Sequence, residues 1–158
     1  MTRRPGDVCV GEAFSYRGDP AVPPFPDDRP LLIFDGHCLL CSGFVHFILR
    51  ADRHHRLRLV AAQSPVGAAL YRHFDLVRED YETNILLEDG RAWLKSEGSI
   101  RVFERLGLPW SLVAVGRILP RPVRDALYEL IARNRLRWFG RRESCLLPDP
   151  AHADQFIP

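Results

Sequence analysis

The chain has 158 residues, 46% of them hydrophobic and 27% charged, and a formal net charge of +2. That is one domain's worth of sequence, long enough to bury a core, and its charge is too small to make nucleic acid the expected main partner. No apolar run reaches the roughly 18 residues of a membrane span, and four cysteines suit a reducing compartment with a redox or metal motif better than a secreted disulfide scaffold.

Residues 1–30 read as a tail. They lack the apolar stretch a signal peptide needs. Pro20, Pro23, Pro24, Pro26 and Pro30 predict an extended, largely unstructured lead-in. Cys9 lies within it, either as a spectator or as a mobile third thiol able to reach Cys38. A membrane partner is not expected, and the predicted location is cytoplasmic.

Residues 31–50 organise the rest of the chain. Leu31, Leu32, Ile33 and Phe34 form a short apolar run, the pattern of a strand buried on both faces. Asp35-Gly36 marks a turn, and Cys38-Leu39-Leu40-Cys41 comes directly after it. Phe44, Val45, Phe47, Ile48 and Ala51 then recur at helical spacing, which predicts a helix from near Cys41. Leu57 to Ala61 predicts a second strand, parallel to the first through a crossover. Ser64-Pro65 opens a helix, with a capping hydroxyl and proline in the first position. Residues 84–95 read as a hairpin around Asp89-Gly90. Ser96 is the expected cap of a helix carrying Ile100, Phe103 and Leu106. After a short apolar stretch at 110–119, Pro120 and Pro122 open a longer helix. Its stripe of Val123, Leu127, Leu130, Ile131 and Asn134 is expected to cover the sheet.

A CxxC at a strand-to-helix junction suits dithiol–disulfide exchange. The first turn of a helix offers unpaired N–H groups and the positive end of the dipole. A thiol held there ionises more easily, and the thiolate is the nucleophile. Residues three apart share a helical face. Cys38 is therefore assigned as the attacking, more exposed thiol, and Cys41 as the resolving, more covered one. Asp35 either accepts the Cys41 proton or holds the turn through backbone N–H groups. Gly36 permits the sharp turn. His37, when protonated, would stabilise the thiolate, unless its ring points to solvent.

The run Asp35-Gly36-His37-Cys38-Leu39-Leu40-Cys41 resembles the DGxCxxC signature of the DCC family of thiol–disulfide oxidoreductases, which includes bacterial YuxK-like proteins. The resemblance extends from Leu31 to Pro148. It takes in the Gln63-Ser64 junction, the hairpin at Asp89-Gly90, the helix from Ser96 to Leu106, the run from Arg133-Asn134-Arg135 to Phe139-Gly140, and Cys145. It implies an α/β, thioredoxin-like core of βαβ-α-ββα order with a C-terminal helical extension, in a domain spanning residues 31–150 with a tail at 151–158. It also implies a disulfide-containing protein or a small thiol as substrate, with a separate reductant. No metal or organic cofactor is implied. Thioredoxins place a cis-proline before the third strand, facing the CxxC. Residues 80–84 contain none, so either the substrate surface differs or Thr83 supplies that backbone position.

Cys145 is a candidate third redox centre or a small buried residue. The alternatives to redox chemistry are a metal site built from Cys38, Cys41 and Cys145, with His37 or His152 as further ligands, and an interaction protein using the arginine-rich C-terminal helix. For Arg133, Arg135, Arg137, Arg141 and Arg142 the expected state is a solvated face, with Trp138 and Phe139 packed inward.

Overall fold

The computed structural model describes residues 9–76, 84–141, 143 and 150–157. Its strands are β1 (Cys9–Val10), β2 (Leu31–Phe34), β3 (Arg58–Ala61), β4 (Ile85–Glu88) and β5 (Arg91–Leu94), joined in one sheet of order β1-β5-β4-β2-β3. β2 and β3 are parallel, from Leu31 opposite Arg58 to Phe34 opposite Ala61. Parallel neighbours need a crossover, and α1 (Leu39–Ala51) supplies it. β4 runs antiparallel to β2, β5 to β4, and β1 to β5.

Alternation along the strands divides the core into two layers. Leu31 and Ile33 face one side, where α2 (Pro65–His73) contributes Val66, Ala69, Leu70 and Tyr71. Leu32 and Phe34 face the other, against Val45 and Ile48 of α1 and Val102 and Leu106 of α3 (Lys95–Leu106). With both faces covered, β2 is apolar and buried at all four residues.

Local chemistry sets the boundaries. Ser64 Oγ accepts the Gly67 N–H at 3.0 Å and caps α2 as predicted. A Cβ on Gly67 would stand 2.1 Å from the Ala61 carbonyl oxygen, so this helix meets β3 only with glycine there. Asp89 and Gly90 both have positive φ, the conformation a two-residue hairpin turn requires. The predicted cap of α3 is not formed by Ser96. Leu94 occupies the cap position, and the Ser96 hydroxyl donates instead to Asp125 on α4 (Arg121–Phe139). A 3₁₀ helix, Trp110–Ile118, links α3 to α4.

The result is the thioredoxin-like α/β class with a C-terminal helical addition. The two tails need correction. Within residues 1–30, Cys9 and Val10 pair with Trp93 and Ala92 to extend the sheet, and Tyr16 and Val22 are buried in the core beside β2 and α2. Cys9 is thus held in an edge strand. Within residues 151–158, Gln155 is fully buried and donates to Asp52 and to the Leu57 carbonyl. Both segments are tied down by backbone pairing and buried side chains that hydrophobic periodicity does not reveal. Among the described residues, no helix is long and apolar enough to cross a membrane.

Candidate active site

β2 ends at Phe34, and the turn beyond it is built on Asp35. The carboxylate is buried. Its Oδ1 accepts the His37 N–H at 2.9 Å and Gln63 Nε2 at 2.7 Å. Gln63 Oε1 in turn accepts the Gly36 N–H at 3.0 Å, so the segment after β3 clamps the turn after β2. The predicted turn-holding role of Asp35 is present, and His37 contributes its backbone N–H to it.

Cys38 occupies the N-cap of α1 in extended backbone. Its Sγ accepts the Cys41 N–H at 3.3 Å, one of the orphan donors of a helix start. Cys38 and Cys41 are both free thiols. Their acidities are pushed apart. A hydrogen bond from the Cys41 thiol is the leading influence lowering the Cys38 pKa, to about 6, joined by the Cys41 N–H and the Arg135 charge. Cys41 is pushed well above the usual thiol value, first by that same hydrogen bond, then by burial. The expected difference in exposure is not found. Cys38 is 0% and Cys41 4% exposed, because the end of α4 closes over the motif. The Leu39 N–H donates to the Gly140 carbonyl at 3.4 Å, and Cys38 pairs with Arg141 in a short antiparallel bridge.

Arg135 is the residue that reading the sequence misplaced. It is 4% exposed. Its Nη2 contacts Asp35 Oδ2 at 3.3 Å, and its Nη1 lies 3.9 Å from Cys41 Sγ. Asn84 Oδ1 stands 3.9 Å from the same sulfur. The Asn84 N–H donates to the Tyr128 hydroxyl at 3.2 Å. Burial pushes the Tyr128 hydroxyl up to about 12, so it stays protonated near neutral pH. Tyr128 and Arg135 are seven residues apart, two turns of one helical face. That shared face was the available signal, and it was hidden by the assumption that arginines in this stretch face water. Trp138 and Phe139, expected inward, are instead exposed.

Cys145, Arg142 and Thr83 lie outside the described residues. Cys9 sits on the far edge of the sheet, paired with β5. Among the described residues no three His, Cys, Asp or Glu side chains are grouped to hold a metal. The third cysteine of the metal alternative is Cys145, which is not among them.

A thioredoxin-like sheet carrying a dithiol at the start of its first crossover helix defines a class of thiol-bearing α/β proteins. Within it, the chain belongs to the DCC1-like thiol-disulfide oxidoreductase family, whose model matches residues 32–141. It is 38% identical over 128 residues to the uncharacterized protein YuxK of Bacillus subtilis (strain 168), covering 81% of this chain and 93% of that one. It is also 38% identical over 122 residues to the DCC family protein At1g52590, chloroplastic, of Arabidopsis thaliana, covering 77% and 71% of the two chains. No solved structure matches it significantly.

Proposed function

We propose that the protein is a thiol–disulfide oxidoreductase in which Cys38 is the nucleophile and Cys41 the resolving thiol. The observation that carries this reading is the Cys41 N–H donating to Cys38 Sγ at the N-cap of α1. A helix start stabilises negative charge there, and the Arg135 guanidinium adds to it.

The Cys38 thiolate attacks one sulfur of a substrate disulfide. A mixed disulfide forms, and the other substrate sulfur leaves as a thiolate. Cys41 then gives up its proton and attacks Cys38 Sγ. The second substrate thiol is released, and the Cys38–Cys41 disulfide keeps the oxidising equivalents: two electrons have passed to the substrate. An external dithiol of the reductant class restores the pair. Asp35 holds the turn and orients Arg135, which spans the carboxylate and the Cys41 sulfur and steadies negative charge as the thiols ionise. Substrate reaches Cys38 when the segment at Gly140 and Arg141 lifts from it. The substrates are disulfide-bearing proteins or small thiols. A reducing compartment such as the cytoplasm is implied.

Trapping tests the assignment. Cys41→Ser should accumulate a mixed disulfide on Cys38 when mixed with oxidised glutathione, detected by intact mass, while Cys38→Ser should form little at Cys41. Equal adduct formation by the two variants would remove the distinction between attacking and resolving thiols.

A further inference from the structure

The outer surface of the C-terminal addition has an unusual makeup. Every exposed residue from 108 to 139 is apolar, proline or arginine. On α4 the exposed positions Val123, Leu127, Leu130, Ile131 and Trp138 follow helical spacing and form one stripe. The stripe expected to cover the sheet therefore points away from the protein. Leu127 is 53% exposed, and Ile118 on the neighbouring 3₁₀ helix is 83% exposed. Arg117 and Arg124 converge on Glu97 of α3, at 2.7 and 3.4 Å. The 3₁₀ helix and α4 thus lie side by side over α3, and their apolar residues build a common outer layer. Monomeric soluble proteins rarely leave so many large apolar side chains together in water.

We infer that this face rests on an anionic membrane surface, with the stripe of Leu127, Leu130 and Ile131 in the lipid interface and the bordering arginines on headgroup phosphates. Three observations select this occupant. First, residues 107–141 carry seven arginines and two acids. The acids, Asp125 and Glu129, are engaged with Ser96 and Lys95 of α3, and they reach Arg121 and Arg133 only at 3.6 and 3.7 Å. Second, Arg133 and Arg137 are exposed and lie along one edge of the stripe, as in interfacial helices. A second copy packed antiparallel along this face would set arginine rim against arginine rim, which opposes that pairing. Third, the polar side chain within the stripe, Asn134, donates to the Leu130 carbonyl of its own helix at 2.8 Å, so the stripe offers little to the cross-interface hydrogen bonds that protein interfaces carry at about one per 100–200 Å². Trp110 and Trp138 are both exposed on the C-terminal addition, and indoles favour the water–lipid boundary. A peripheral contact of this kind needs no spanning segment. The sequence-based expectation of no membrane partner rested only on the absence of one.

Sedimentation of the full chain with vesicles tests the inference. The protein should pellet with vesicles of equimolar phosphatidylglycerol and phosphatidylcholine. It should stay in solution with phosphatidylcholine alone, and it should be released by high salt. Leu127→Glu with Ile131→Glu should abolish the binding, and Arg133→Glu with Arg137→Glu should weaken it about tenfold or more. The circular dichroism spectrum and the Cys38–Cys41 potential should stay unchanged in both. Failure to bind anionic vesicles overturns the inference, as does binding that the Leu127 and Ile131 changes leave intact. A dimer in solution that those same changes dissolve would assign the face to a second copy instead.

Discussion

At Cys38, three influences meet in one place: a backbone N–H, the neighbouring thiol and the Arg135 charge. Because the Cys38 pKa is lowered to about 6, the folded state is ionised at pH values where the unfolded thiol still holds its proton. The unfolded state then binds more protons, so stability of the reduced protein rises with pH from about 6 toward the ordinary thiol pKa of about 8.5. Denaturant unfolding of reduced wild type and Cys38→Ser across that window should show the rise in the former and its loss in the latter. Arg135 and Asp35 make opposite predictions on acidity and the same one on stability. Removing the cation with Arg135→Met raises the Cys38 pKa, and Asp35→Asn lowers it, because the carboxylate opposes the thiolate. Each breaks a buried pair and costs about 3–5 kcal/mol. The rate of alkylation against pH reads the first effect, and denaturant midpoints read the second. Asp35, Gly36, Cys38 and Cys41 were all legible in the sequence, because a turn and a CxxC at a helix start are local patterns. Arg135 was not, since its partners lie 94 and 100 residues away along the chain.

The secondary elements of the core were legible because each is announced by its own chemistry: an apolar run for β2, serine and proline for α2, Asp-Gly for the hairpin. What failed was the facing of α4. Its apolar stripe was assigned inward by the usual rule, yet Tyr128 and Arg135 are drawn in by Asn84, Asp35 and Cys41, and that rotates Leu127, Leu130 and Ile131 outward. Alanine substitution separates the two arrangements. In dilute buffer Leu130→Ala should change stability by less than about 0.5 kcal/mol, while Ile48→Ala, fully buried in α1, should cost about 2–5 kcal/mol. A comparable loss at Leu130 would restore the inward stripe.

Across the whole molecule, the sheet depends on chain ends that look dispensable in the sequence. β1 covers the edge of β5, and Tyr16 and Val22 enter the core. Deleting residues 1–30 should therefore lower stability by about 3–6 kcal/mol, counting roughly 1.5–3 kcal/mol for each large side chain withdrawn from the core, and should expose a strand edge prone to association. Thermal melts and size-exclusion chromatography would show both. The same interlocking governs reactivity. Cys38 is closed over by Gly140 and Arg141, so the proposed disulfide exchange requires the end of α4 to open.

If Cys38 and Cys41 exchange electrons as a pair, their redox states are linked. Equilibrating the full chain in glutathione buffers of stepped ratio, trapping thiols by alkylation and reading each cysteine by mass spectrometry tests this directly. Both cysteines should change state together in a two-electron transition, at a potential within roughly −120 to −270 mV, the span of dithiol exchange proteins. Because a stabilised thiolate favours the reduced form, Arg135→Met should shift that transition to more negative potential. If Cys38 and Cys41 stay as independent thiols throughout the range, the redox assignment is wrong.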